Sequence, residues 1–257
     1  ERRRGFDKLV VASSMSVYGE GSYFCKVCGT QEVPLRAYPQ TPWNHTCRYC
    51  LSTLLPRATF EEKPLRPTSV YAVTKRNQEE LCLAVGGAYR IPTTALRFFN
   101  VYGPGQALSN PYTGAVAIFA SRLLNGQPPL LFEDGEQTRD FVHVSDVARA
   151  IVTALDDHSE MQDVWNVGTG VATSMLTLAS RLADLMGGPQ PEIIGKGRAG
   201  DIRHCYADIE KAKRKGFTAQ VRLAEGLRDL VPYLRKQCPV DGALRAKEEL
   251  EVRGLVA

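Results

Sequence analysis

The chain has 257 residues, is 44% hydrophobic and carries a net charge of +4 from 32 basic and 28 acidic side chains. That length buries a sizeable core in one or two domains, and so mild and well mixed a charge gives no reason to expect a nucleic-acid partner. No run approaches the roughly 20 apolar residues of a membrane-spanning helix, and Glu1-Arg-Arg-Arg-Gly5 has no apolar run behind it to make a signal peptide, so a soluble cytoplasmic protein is expected.

Residues 8–13 read as a buried parallel strand that runs into the hydroxyl residues Ser13, Ser14 and Ser16. Residues 20–66 have no period and are rich in Pro, Cys, Tyr and Arg. Four of the seven cysteines lie here, as Cys25-Lys-Val-Cys28 and Cys47-Arg-Tyr-Cys50 with 18 residues between the pairs. That is the spacing of a structural zinc site. Four thiolates close the tetrahedron and leave no open position, so such a zinc stabilises rather than catalyses. Two disulfides or a redox CxxC are the alternatives, and a reducing compartment favours the metal. His45, between the pairs, reads as an exposed loop residue.

Residues 68–89 read as a helix after Pro67, with Thr68 or Ser69 as N-cap and Tyr71, Leu81, Ala84 and Val85 as its apolar stripe. Tyr71 and Lys75 are four residues apart and share one helical face. A nearby ammonium favours the phenolate and lowers a tyrosine pKa from about 10, which makes the phenol a general base near neutral pH. Alone, the pair occurs in many ordinary amphipathic helices.

Residues 93–99 form the next strand and end at Asn100; 103–111 are loop. A helix over 113–125 stops at Asn125-Gly126. A short strand at 129–132 and an Asp134-Gly135 turn lead to a strand at 139–144 and a helix at 145–157 capped by Ser145. Strand, helix and strand follow at 163–167, 174–186 and 191–194, then an amphipathic helix at 222–236. Beyond Pro239 the charged tail reads as a solvated helix or a disordered segment. Val164-Trp-Asn-Val-Gly168-Thr-Gly170-Val-Ala-Thr173, with Glu192 further on, imitates a dinucleotide fingerprint. Its third glycine position is Thr173, so it reads as a decoy.

A serine at the end of one strand, a Tyr/Lys helix and an asparagine at the end of the next strand thus follow in order. Open α/β sheets bind ligands at the carboxyl ends of their strands, so all three groups should face one crevice.

Five ordered stretches carry a resemblance. They are Ser13-Ser14-x-x-Val17-Tyr18-Gly19, Pro67-x-x-x-Tyr71-x-x-x-Lys75, Leu96-Arg-Phe-Phe-Asn100-Val-Tyr-Gly-Pro104, Asp134-Gly-Glu-Gln-Thr-Arg139-Asp-Phe-Val-His-Val-x-Asp146 and Arg198-Ala-Gly-Asp201. Together they resemble the extended short-chain dehydrogenase/reductases that act on nucleotide-diphosphate sugars, with the dTDP-L-rhamnose and UDP-glucose 4-epimerase groups the nearest. The resemblance implies an α/β fold: a Rossmann-like doubly wound parallel sheet with a smaller α/β substrate domain, here interrupted by a zinc ribbon. Residues 1–112 would be the NAD-binding part with its insert at 20–66, residues 113–237 the sugar-nucleotide part and residues 238–257 a tail.

By that resemblance Tyr71 is the base, Lys75 tunes it and holds the nicotinamide ribose, and Ser14 positions the sugar hydroxyl. Ser13 and Phe99 join Tyr71 and Lys75 around NAD. Asn100, Arg139 and Arg198 serve the diphosphate, Asp201 the ribose, Leu131 and Phe132 flank the base, and Val116 lies close by. Guanidinium forks suit phosphate oxygens. The partners implied are a nucleotide-diphosphate sugar and a second copy of the chain. His143 and His204 read as structural residues within motifs, and Cys205 stands where relatives often have a tyrosine facing the ligand.

Met15-Ser16 occupies the place of the Asp-Glu pair of the family's dehydratases and cannot do their acid–base work. Epimerase is therefore expected, with an NAD(P)-dependent reductase or a non-catalytic zinc-binding interaction fragment as alternatives. The family's opening Gly-rich turn has no room before Ser14. The chain accordingly reads as a fragment lacking the first half of its nucleotide-binding sheet, inactive and weak in NAD binding by itself.

Overall fold

A computed structural model describes residues 7–31, 33, 43–110, 113–239 and 243–256. In chain order, strand β1 (Leu9–Ser14) runs into a 3-10 turn at Met15–Tyr18. Three short strands follow, β2 (Ser22–Cys25), β3 (Gly29–Gln31) and β4 (Leu55–Arg57). Helix α1 (Val70–Tyr89), β5 (Thr93–Phe98), β6 (Asn100–Tyr102) and helix α2 (Ala115–Leu124) come next. Then come β7 (Leu130–Leu131), β8 (Thr138–Arg139), β9 (Phe141–His143), α3 (Val144–Asp156) and β10 (Gln162–Val167). The chain continues through β11 (Thr173–Ser174), α4 (Met175–Met186), β12 (Glu192–Ile193) and β13 (His204–Cys205). It closes with α5 (Glu210–Arg214), α6 (Leu223–Leu234) and α7 (Ala243–Val252).

The central sheet is parallel, in the order β1-β5-β10. Leu9 pairs with Thr93 and Ser14 with Phe98, while Gln162 pairs with Thr93 and Val167 with Phe98, so the three strands end level. Side chains alternate between the faces of a strand. Leu96, Phe98, Trp165 and Val167 pack with Val147, Ala150 and Ala154 of α3 and with Phe217. The opposite face carries Thr93 and Arg97 and is covered by α1. There Gly86 is required for close approach: a Cβ would fall 1.9 Å from Thr93 Oγ1. Helices on both faces are the doubly wound arrangement expected.

Helix α1 starts where expected, and Ser69 is its cap, accepting from Ala72 N at 3.1 Å. Its stripe does not face the core. Tyr71, Leu81, Ala84 and Val85 are exposed, and the buried positions are Ala72, Glu79 and Gly86. The helix approaches the sheet through small residues and one charge. Glu79 accepts from Arg97 Nη2 at 2.5 Å, from Arg97 Nε at 3.0 Å and from Ser13 Oγ at 2.5 Å. A buried charge is held only where it is paired, and this pairing substitutes for the apolar ridge that periodicity suggests.

The second lobe gathers α2, α4 and α6 around Val116, Phe119, Leu131, Leu178, Leu182, Leu227 and Leu230. Small sheets β11-β8-β13, β12-β7 and β6-β9 line it. The strand expected at 139–144 is two, β8 and β9, separated by Asp140, and the cap of α3 is His143, not Ser145: His143 Nδ1 accepts from Ser145 N at 3.3 Å. The boundary placed at 112 falls outside the described residues. The tail is neither free nor shapeless over 243–256. It forms α7 and returns to the body, where Ala199 N donates to Leu255 O at 2.9 Å and Lys196 lies 2.9 Å from Glu251.

Strands β2, β3 and β4 form a three-stranded antiparallel sheet in the order β3-β2-β4, and the described residues around it share a small core of Tyr23, Cys25, Val33, Cys47 and Leu54. The rest of the expected insert, 59–66, belongs to the main body: Thr59 N donates to Tyr206 O, and Asn166 N donates to Glu61 Oε1 at 2.8 Å. His45 is buried, 6% exposed, with its ring edge-on to Tyr23 at 4.9 Å and Nε2 3.3 Å from Glu20 Oε1. Its ring and the Glu20 carboxylate beside it lie inward, so His45 is a loop residue as expected but a buried one, not an exposed one.

Candidate active site

Because β1, β5 and β10 end level, Ser14, Phe99 and Asn100 emerge on one edge, and the N-terminal turn of α1 brings Tyr71 and Lys75 to it. A cavity of about 370 Å3 is lined there by Ser13, Ser14, Tyr71, Lys75, Phe99, Asn100 and Val116, within the size range of small-molecule sites. Ser14 Oγ accepts from Ser16 N at 3.2 Å and from Ser16 Oγ at 2.9 Å. A hydroxyl has two acceptor positions and one proton, so Ser14 keeps its proton for a ligand oxygen. Lys75 Nζ donates to Ala12 O at 2.8 Å and to Gln78 Oε1 at 3.2 Å, leaving one of three N–H groups. Tyr71 is 56% exposed and projects into the open crevice. Ser13 touches the same cavity, but its hydroxyl is committed to Glu79. Among the described residues no carboxylate lines this cavity, and Met15 is buried.

A second cavity, about 520 Å3, shares Tyr71, Asn100 and the Thr113–Ala115 wall with the first. It gathers Leu131, Phe132, Arg139, Arg198 and Asp201. Arg139 is fixed by backbone: Nη1 donates to Thr138 O at 2.8 Å and Arg203 O at 3.2 Å, and Nη2 to Ile202 O at 2.7 Å. Of five guanidinium N–H groups, Nε–H and one Nη2–H remain for a ligand. Arg198 is looser, stacked 5.6 Å over the Phe132 ring and 3.2 Å from Asp201 Oδ1. Two buried acceptors on these walls, Asn100 Oδ1 and Gln137 Oε1, have no partner among the described residues. An unmet buried acceptor costs about 1–3 kcal/mol, and a ligand N–H or O–H removes that cost. Gln137 was not singled out in the sequence, although it lies inside the Asp134–Asp146 stretch; Thr113 has no sequence signal at all.

Cys205 does not reach the crevice. It is buried among Met15, Val17, Tyr18, Phe99 and Ile202, and burial pushes its thiol up to about 12. His204 Nδ1 lies 2.9 Å from Thr138 Oγ1, within the β8–β13 pair.

The Gly168-Thr-Gly170 turn has its donors filled from within. Thr169 N and Gly170 N each donate to Asp140 at 2.8 Å, Thr169 Oγ1 donates at 2.6 Å and Ala207 N at 3.2 Å. A Cβ on Gly168 would lie 2.6 Å from Asp140 Oδ2. The nest that could receive a pyrophosphate already holds a carboxylate, and Glu192 lies in an exposed strand away from it.

The four insert cysteines bring their sulfurs within 4.8 Å of one another. A tetrahedral zinc with bonds of about 2.3 Å sets its sulfurs about 3.8 Å apart. Cys47 Sγ accepts from Gln31 Nε2 at 2.7 Å and Tyr49 N at 3.4 Å. Burial raises that thiol, but these donors and the Cys50 backbone outweigh it and bring it to about 6. Thiolate is the metal-binding form.

Residues 49–168 match the family described as "NAD dependent epimerase/dehydratase family". Over 237 residues the chain is 39% identical to dTDP-L-rhamnose 4-epimerase of Burkholderia thailandensis, covering 90% of this chain and 63% of that protein. Among solved structures it is similar to MoeE5 in complex with UDP-glucose and NAD, at 33% identity and TM-score 0.70 over 90% of this chain and 66% of that one. It is also similar to UDP-glucose 4-epimerase of Thermotoga maritima with UDP-glucose, at 30% identity and TM-score 0.69 over 90% and 64%. The chain thus spans less than two thirds of the length of these relatives.

Proposed function

From the premise that this chain belongs to the NAD dependent epimerase/dehydratase family, we propose that it carries the acid–base and sugar-nucleotide site of a 4-epimerase acting on a nucleotide-diphosphate sugar, dTDP-L-rhamnose or a UDP-hexose. The observation that carries the proposal is the pair of cavities that share Tyr71 and Asn100. One holds a phenol, an ammonium and a hydroxyl; the other holds two arginines beside an aromatic ring.

Tyr71 takes the proton from the sugar hydroxyl and returns it. Ser14 donates its remaining proton to the same oxygen and fixes its direction. Lys75 offers its free N–H to a ribose hydroxyl, Phe99 forms the wall beside it, and Ser13 braces that wall from Glu79. NAD, when bound, supplies the hydride acceptor and donor; the residues at this end of the crevice fit its nicotinamide half. Arg139 and Arg198 hold the diphosphate with Asn100, Asp201 the ribose, and Leu131 with Phe132 the base; Val116 closes the sugar end. Met15 and Ser16 line the first cavity where water loss would need a further proton carrier, and among its described lining residues none is a carboxylate, which favours epimerisation. Cys25, Cys28, Cys47 and Cys50 hold one structural zinc. The exposed apolar side of α1, with Val70, Val73, Leu81 and Tyr89, supports a homodimer, and seven unpaired thiols suit the cytoplasm.

Tyr71→Phe tests the reading. It removes the proton acceptor and keeps the ring, so kcat for epimerisation by the intact protein falls on the order of 10²–10⁴-fold while sugar-nucleotide binding survives. Full activity in this variant excludes Tyr71 as the base.

A further inference from the structure

Arg203 joins the cysteine insert to the nucleotide end of the crevice. It is 1% exposed. Its guanidinium forks onto Asp134 at 2.6 and 2.8 Å, reaches Glu133 Oε2 at 2.8 Å and donates through Nε to Asn44 Oδ1 at 2.9 Å. Its backbone N–H donates to the Glu20 carboxylate at 2.9 and 3.0 Å. Its backbone oxygen accepts from Thr138 N at 3.1 Å and from Arg139 Nη1 at 3.2 Å. Glu20 also accepts from Tyr23 Oη at 2.8 Å and has His45 beside it at 3.3 Å. Asn44 and His45 lie just before Cys47, and Tyr23 just before Cys25.

On the crevice side, Glu133 and Asp134 directly follow Phe132. Glu133 is in the left-handed region at φ 55°, a conformation a non-glycine residue keeps only where its surroundings over-determine it. The double grip of Arg203 on Glu133 and Asp134 supplies that constraint. One buried residue therefore sets the Phe132 loop through its side chain and Arg139 through its carbonyl, and is itself held by the insert.

We propose that Arg203 is a positioning residue for the nucleotide half of the ligand, and that the cysteine insert, through Asn44 and Glu20, is the brace that holds it. The proposal rests on the reading of the second cavity as a nucleoside-diphosphate site. The insert then governs ligand affinity and leaves the proton transfer at Tyr71 alone.

The test is calorimetric titration of the intact protein with UDP and with dTDP, for the wild type, Asn44→Ala and Arg203→Lys. Lysine keeps the charge but cannot fork, and Asn44→Ala removes the side-chain link from the insert to the guanidinium while the Glu20 link to the backbone N–H stays. Displacing Arg139 and the Phe132 loop weakens charge-assisted hydrogen bonds to the diphosphate, so Kd is expected to rise on the order of tenfold in both variants. With a sugar-nucleotide substrate, KM rises more than kcat falls. Amide hydrogen exchange at Glu133 and Thr138 speeds up in the same variants. Wild-type Kd and wild-type exchange in folded Asn44→Ala overturn the proposal; where Arg203→Lys does not fold, Asn44→Ala decides. Failure of the wild type to bind either nucleotide overturns the functional reading, and exchange at Glu133 and Thr138 in Asn44→Ala then decides separately whether Arg203 carries the coupling.

Discussion

Glu79→Ala is the most informative stability perturbation. Glu79 and Arg97 are 2% and 5% exposed, and their bidentate contact is completed by Ser13 Oγ. Arg97 also donates to Tyr18 Oη at 2.9 Å and Glu61 O at 2.8 Å, and the Glu79 carboxylate and Tyr18 keep its pKa raised against the opposing effect of burial. Removing Glu79 leaves a guanidinium buried with only neutral partners and a serine without its acceptor. Breaking one side of a buried pair costs about 3–5 kcal/mol. At about 2–4 °C per kcal/mol for a protein of this size, the melting temperature should drop by roughly 6–20 °C. Because Ser13 adjoins Ser14 and Glu79 lies on the helix that carries Tyr71 and Lys75, kcat should fall as well. The assay is denaturant and thermal unfolding of the wild type, Glu79→Ala, Arg97→Met and the double variant. Replacing both members of a buried pair is much milder than removing one, so the double variant should recover part of the loss. A loss below about 1 kcal/mol in Glu79→Ala, the range of an exposed pair, would refute the claim that this charge fastens α1 to the sheet.

Elemental analysis of untagged protein should find one zinc per chain, lost in Cys28→Ser and Cys50→Ser; a folded, metal-free insert with freely titratable thiols rules the site out. Acid should loosen the junction around Arg203. Burial raises Glu20 and Asp134, but His45, the Arg203 N–H and Tyr23 hold Glu20 below the usual carboxylate range, and the Arg203 fork does the same for Asp134. Depressed carboxylates contribute stability that is present above their unfolded values of about 4 and is lost as pH falls through the folded ones. Melting temperature should therefore fall below about pH 4, less steeply in Glu20→Gln with Asp134→Asn. An unchanged slope in that double variant refutes the assignment.

The local placement of the candidate residues is legible in the sequence. A hydroxyl run closing β1, a serine before a Pro-led helix, an asparagine after β5 and two CxxC pairs each encode their structure within a few residues. What escaped reading depends on distant partners. Nothing near Glu79 announces that Arg97 will meet it, so the apolar stripe of α1 does not tell which side of the helix is buried. His45 was misjudged because its surroundings, Glu20 and Tyr23, come from before the first cysteine pair. Arg203 has no periodic pattern, and its importance is visible only once Asn44, Glu133 and Asp134 converge on it. Gln137 was within sight, inside a recognised stretch, but its unmet acceptor is a property of three dimensions.

The carboxylate of Asp140 has a consequence for how the molecule moves. It arises between β8 and β9, yet it receives N–H groups from the turn after β10 and from Ala207, while its own backbone oxygen accepts from Asn100 N at 2.9 Å. It therefore ties the sheet edge to the second lobe through several hydrogen bonds, a fastening that resists separation of the two at the floor of the crevice. The exposed side chain at the rim is Arg198, while the Phe132 loop beside it is half-buried and held from behind by Arg203.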